Sequence, residues 1–158
     1  MILYVAIGGL FAFMGVIVYF STFDIPELEK SELELLAVDV VEIDSIDNRI
    51  TLNIIFGITN YGEKTVTVPE ISFELFANGR SLGSSSYSTS DIPLTGRVLL
   101  TSGLTVPLES KMTISLTDDI KDIYESISSG DSVEYSVNGQ YTIETAWQVI
   151  DIQFDSSI

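Results

Sequence analysis

Five apolar residues, Ile50, Leu52, Ile54, Phe56 and Ile58, alternate with other side chains without a break. A period of two places all five on one face of an extended strand, so this stretch needs a sheet with one face buried. The surrounding chain repeats the pattern. Residues 37–43 read as a strand before it, with a turn at 44–48, and Asn60 to Lys64 reads as a turn after it by its Asn and Gly content. Thr65 to Val68 then gives a short strand stopped by Pro69, and Ile71, Phe73, Leu75 and Ala77 give another. Asn78-Gly79, the dipeptide most favoured in two-residue hairpins, closes it.

A return strand starts at Arg80 and fades into the Ser-rich stretch 84–90, followed by a loop at 91–96. Alternation resumes over residues 98–108 with a possible bulge at Ser102-Gly103, turns at Glu109-Ser110-Lys111, and continues through Met112, Ile114 and Leu116. Residues 118–127 break the period, placing apolar side chains at i, i+3, i+4 and i+7, which predicts one short amphipathic helix ended by Gly130. Val133, Tyr135 and Val137 return to strand. Asn138-Gly139 is read as a turn or bulge, and residues 141–154 supply the last strand material, including Trp147. Seven or so short antiparallel strands at this spacing predict a β-sandwich over residues 35–158 that folds independently of what precedes it.

What precedes it is of another kind. Residues 2–23 hold twenty-two side chains without one charge, twelve of them Ile, Leu, Val or Phe. A helix of that length spans about 33 Å, which predicts a single transmembrane helix. A cleaved signal peptide fits less well, because no basic residue precedes the run and no small-residue cleavage site follows it. Lys30 is the one basic residue near the run, with Asp24, Glu27, Glu29, Glu32 and Glu34 around it. Acidic residues count little in orienting a helix. The expectation is a single-pass cell-membrane protein with its domain extracytoplasmic, and residues 24–34 an acidic juxtamembrane stalk. Gly8, Ala12, Gly15 and Tyr19 form a helix-packing stripe of small residues continued by one aromatic, suited to close approach of other transmembrane subunits. The bland alternative is that Gly is common in such helices.

Charge and chemistry narrow the function. There are 23 acidic and 7 basic residues and no His, a formal net charge of −16. Such a surface repels phosphates, so nucleic acid is not an expected partner. Without His or Cys the usual general base, thiol nucleophile and transition-metal ligands are missing, and Ser84-Ser85-Ser86 lacks a nucleophile-elbow context. Asp118, Asp119 and Asp122, or Asp44 and Asp47, offer oxygen ligands to Ca²⁺, but neither set completes a calcium loop. No catalytic residue, cofactor, metal or small-molecule substrate is expected. Tyr135, Tyr141 and Trp147 are either sandwich core or a contact surface.

The order of features resembles the late-embryogenesis-abundant group-two family, also called the water-stress and hypersensitive-response (WHy) domain. The resemblance rests on the strand Ile50–Ile58 running into Asn60-Tyr61, where the family usually has Asn-Pro. It continues through Ile71-x-Phe73-x-Leu75, Asn78-Gly79, Leu82-Gly83, Ile92-Pro93, Pro107-Leu108, the helix near 118–128 and Val133-x-Tyr135-x-Val137-x-Gly139. It implies an immunoglobulin or fibronectin-III-like sandwich with one helix, often behind a membrane helix, and no catalytic residues. The function expected is that of a non-catalytic accessory or structural subunit of a membrane protein complex. A surface-filament subunit in the style of archaeal pilins and a stress-protective tethered protein are the alternatives. The acidic, Cys-free composition is associated with archaeal or saline sources.

Overall fold

The computed structural model describes residues 2–22, 25–89, 98–146 and 148–158, with the side chains of 2, 3 and 20–22 left aside. Ile92-Pro93 and Trp147 therefore lie outside the described residues.

The chain runs α1 (Ile2–Thr22), α2 (Ile25–Leu28), β1 (Ser31–Asp44), β2 (Arg49–Asn60), β3 (Val66–Ala77), β4 (Arg80–Ser88), β5 (Leu99–Leu100) and β6 (Thr105–Ser115). A 3₁₀ turn at Asp118–Ile120 leads into α3 (Lys121–Ser129), then β7 (Tyr135–Glu144) and β8 (Val149–Ser157). One antiparallel sheet has the order β1-β2-β6; the other has β4-β3-β7-β8, with β5 beside β3. Together they form a two-sheet antiparallel sandwich.

Alternation explains the core. Ile50, Leu52, Ile54, Phe56 and Ile58 of β2 are fully buried, facing Ile71, Phe73 and Leu75 of β3 and Val137, Tyr141 and Ile143 of β7. At the centre Phe56 meets Phe73 edge-on, with ring centroids 4.9 Å apart, and Phe154 from β8 at 6.0 Å. Gly139 lies between Phe73 and Phe154 in the ladder. A Cβ there would sit 2.1 Å from the Ser72 carbonyl oxygen, so only glycine lets β7 pass this close to β3.

Several expectations change. Among the described residues, no helix is long and apolar enough to cross a membrane. The single-pass, cell-membrane localisation with an extracytoplasmic domain is corrected on that finding.

The segment read as a stalk is built into the sandwich. Leu28, Ser31 and Leu33 are buried, and Tyr141 Oη donates to the Ser31 carbonyl at 2.9 Å. The Tyr61 N–H donates to the Lys30 carbonyl at 3.0 Å. The Glu-Leu-Glu-Leu alternation of residues 32–35 is already strand.

Pro69 does not end a strand. It sits where the β3–β7 register slips between Thr67 and Glu70, a bulge that spares the missing N–H. Residues 109–111 are not a turn, because Ser110 points inward and donates from Oγ to the Ser86 carbonyl at 3.3 Å. Asn138-Gly139 is mid-strand for the reason given above. Asn78-Gly79 is the expected turn, with φ of 49° and 78°.

Candidate functional site

The described residues present three surfaces that could act. The first is α1. Gly8, Ala12 and Gly15 are exposed, and side chains built on Gly8 and Gly15 would meet nothing within 4 Å. Tyr19 is 62% exposed, and so are large apolar groups on every side of the helix, from Tyr4 at 79% through Phe13 at 63% to Val18 at 64%. Gly8, Ala12 and Gly15 of the predicted stripe are thus displayed at the surface of the described residues.

The second surface is the outer face of the four-strand path β4-β3-β7-β8. Ser72, Glu74, Ser86, Asn138, Gln140 and Gln153 line a shallow depression of about 670 Å³. Its side chains bond to near neighbours: Gln153 Nε2 donates to Gln140 Oε1 at 3.1 Å, and Ser72 Oγ donates to Glu70 Oε1 at 3.3 Å. A serine beside a carboxylate with no imidazole in the chain is not an activated nucleophile.

The third is the far half of β1. Near Leu35 the open edge of this strand is covered by β8, the Leu35 N–H donating to Ser156 Oγ at 3.0 Å. Beyond it the two sheets part. Val38 and Val40 then look across an apolar groove of about 430 Å³ to Ile127, Val133 and Tyr135, while Leu36, at its rim, lays its side chain over Gly57. The far wall is set by how α3 stops. Gly130 takes the left-handed conformation at φ 78°, its N–H donating to the Ile127 carbonyl and the Asp131 N–H to Ser126. That paired cap turns the chain sharply and holds residues 131–134 along the groove. The sequence reading missed this groove. Its trace was the doublet Val40-Val41, which puts valine on both faces of a strand that should bury one.

The aspartates singled out for Ca²⁺ have local work. Asp44 Oδ1 accepts the Ile46 and Asp47 N–H groups at 2.9 and 3.1 Å, closing the β1–β2 turn. Those bonds, the one from Asp47 foremost, hold its carboxyl below the usual range. Asp122 pairs with Arg80, which lowers it likewise, and Arg80 also donates to the Asp119 carbonyl at 2.9 Å. Among the described residues no group of three or more acidic side chains could hold a metal ion. Tyr135 and Tyr141 are core, and burial raises both phenols above their ordinary value.

Neither a protein-family model nor a curated protein matches the sequence. Solved structures do. An X-ray structure of a Northeast Structural Genomics Consortium target is 10% identical, covers 83% of this chain and 87% of its own, and superposes at a TM-score of 0.52. A solution structure from Arabidopsis thaliana is 16% identical over 80% of each chain, at 0.49. Another, of a protein described as late embryogenesis abundant (LEA), is 12% identical over 88% of this chain and 77% of that one, at 0.47. The first shows a shared fold at a distance where sequence no longer reports it.

Proposed function

We propose that the chain is a non-catalytic, LEA-like β-sandwich protein that works as an accessory or structural subunit of a larger assembly. In this reading α1 packs against helices of other subunits and the sandwich contacts their domains. The observation that supports it most is the all-round exposure of apolar side chains on α1. A helix apolar on every side is stable only when other molecules cover it. The absence of His and Cys from the sequence agrees with a role in contacts rather than chemistry.

The test is co-purification of the full chain in mild non-ionic detergent, beside Gly8→Leu, Ala12→Leu and the conservative Ile7→Leu. A partner recovered with the wild type and Ile7→Leu, and depleted for the other two, is the expected result. Equal recovery for all three would remove the packing stripe, and elution of the chain alone would remove the subunit reading. The same exposure favours a second reading, a filament whose core is a bundle of α1 helices. Fibres in electron micrographs, in place of discrete particles, would select it.

A further inference from the structure

We infer that the open edge of β1, from Leu36 to Asp44, takes an extended segment of a partner protein in which apolar and basic residues alternate. The inference rests on the subunit reading above and names the surface and the chemistry of one contact.

Among the described residues β1 is the outer strand of its sheet, paired with β2 alone. At Leu35 the edge is met by Ser156, and from Leu36 to Val40 it borders the apolar groove. Leu36, Val40, Val41 and Ile43 are between 42% and 53% exposed, an uncommon concentration for a strand inside a domain. An added strand would gain main-chain hydrogen bonds from that edge, and alternate side chains would enter the groove.

Charge selects the occupant. Every ionisable residue of β1 is acidic: Glu32, Glu34, Asp39, Glu42 and Asp44. Asp131 stands on the opposite wall. The nearest cation on the ladder, Arg49, sits opposite Asp44 and reaches Asp47 at 4.0 Å. A second copy of this chain would bring another acidic β1 and another net charge of −16, so self-pairing is opposed. A segment bearing Lys or Arg between its apolar residues meets attraction where a second copy meets repulsion.

The test uses the full chain in non-ionic detergent and a fluorescein-labelled nonapeptide of alternating Lys and Val, read by fluorescence anisotropy. Binding is expected to weaken with salt, and a peptide with Glu for Lys is expected not to bind. Leu36→Glu with Val40→Glu, and separately Asp39→Lys with Glu42→Lys, should each weaken binding at least about ten-fold. Thr113→Lys, on the opposite edge of the same sheet, should leave it within about two-fold. Amide shifts on the wild type should cluster in residues 36–44 and 130–133, a readout independent of whether the variants fold. Absence of peptide binding, equal binding by the variants, or shifts elsewhere would overturn the proposal. So would a concentration-dependent dimer abolished by the Leu36 and Val40 changes, which would assign the edge to a second copy. Partner recovery through α1 can succeed or fail independently of all these results, so the two readings fall separately.

Discussion

β1 and β2 lie side by side, are almost equally apolar, and have opposite fates. β2 has a partner on both edges, and its five inward side chains are fully buried. Among the described residues β1 has one strand partner, is buried only up to Leu35, and then shows Val40, Val41 and Ile43 to solvent. What differs is what lies across from each. β2 faces the aromatic centre, whereas the far half of β1 faces a gap between the sheets. The fold is held at the centre, which leaves the edge free to differ without cost to stability.

The sharpest way to break this comparison is at its centre. Phe56→Ala removes the ring that joins Phe73 and Phe154 and should cost about 3–5 kcal/mol in denaturant unfolding. A loss below about 1 kcal/mol would mean that the sheets are not joined there. Leu28→Ala should cost about 2–4 kcal/mol, because this side chain is 1% exposed within the core. It also sharpens the N-terminal boundary of the domain. A chain starting at residue 35 lacks Leu28, Ser31 and Leu33 and should unfold well below one starting at residue 25, as circular dichroism on heating would show.

These two expectations mark where the sequence was legible. The β2 alternation, the Asn78-Gly79 turn and the amphipathic α3 with its Gly130 cap depend on local pattern, and local pattern located them. Residues 24–34 read as a stalk in the sequence because the glutamates alternating with leucines at 32–35 look the same in a solvated segment and in a half-buried strand. Ser110 looked like a turn because a small polar residue at an inward position leaves no apolar mark. Gly139 looked like a turn because its role is set by Phe73 on a strand distant in sequence. The groove was hidden for a related reason: no single segment encodes a space between segments.

Gly139→Ala tests that last kind of information. It places a Cβ against β3 backbone and should destabilise by roughly 1–3 kcal/mol, whereas Gly79→Ala, with open space but positive φ, should cost only about 1 kcal/mol. Equal effects would mean that both dipeptides act as turns.

The two regions should also titrate in opposite windows. Tyr141, in the centre, has its phenol raised by burial. The neutral form is favoured on folding, so its contribution is complete below about pH 10 and is lost as pH rises further. Asp44, at the end of β1, has its carboxyl lowered by the turn N–H groups. Its contribution is present above the ordinary carboxylate range and is lost as pH falls below about 4. Melting temperature against pH should therefore decline at both ends, with Tyr141→Phe flattening the alkaline limb and Asp44→Ala the acid limb. Smallest of all, Val41→Thr should change stability by no more than about 0.5 kcal/mol, since this valine is 53% exposed.

The open edge of β1 is the claim on which the contact reading most depends, and amide hydrogen exchange of the free chain tests it directly. Amides of Ile50 to Ile58 should be protected to near the global unfolding limit. Within Val38 to Asp44, those turned away from β2 should exchange about as fast as the turn at residues 45–48, and should become protected when the Lys-Val peptide is added. Uniform protection of β1 in the free chain, equal to that of β2, would show that the edge is already closed and would contradict the account.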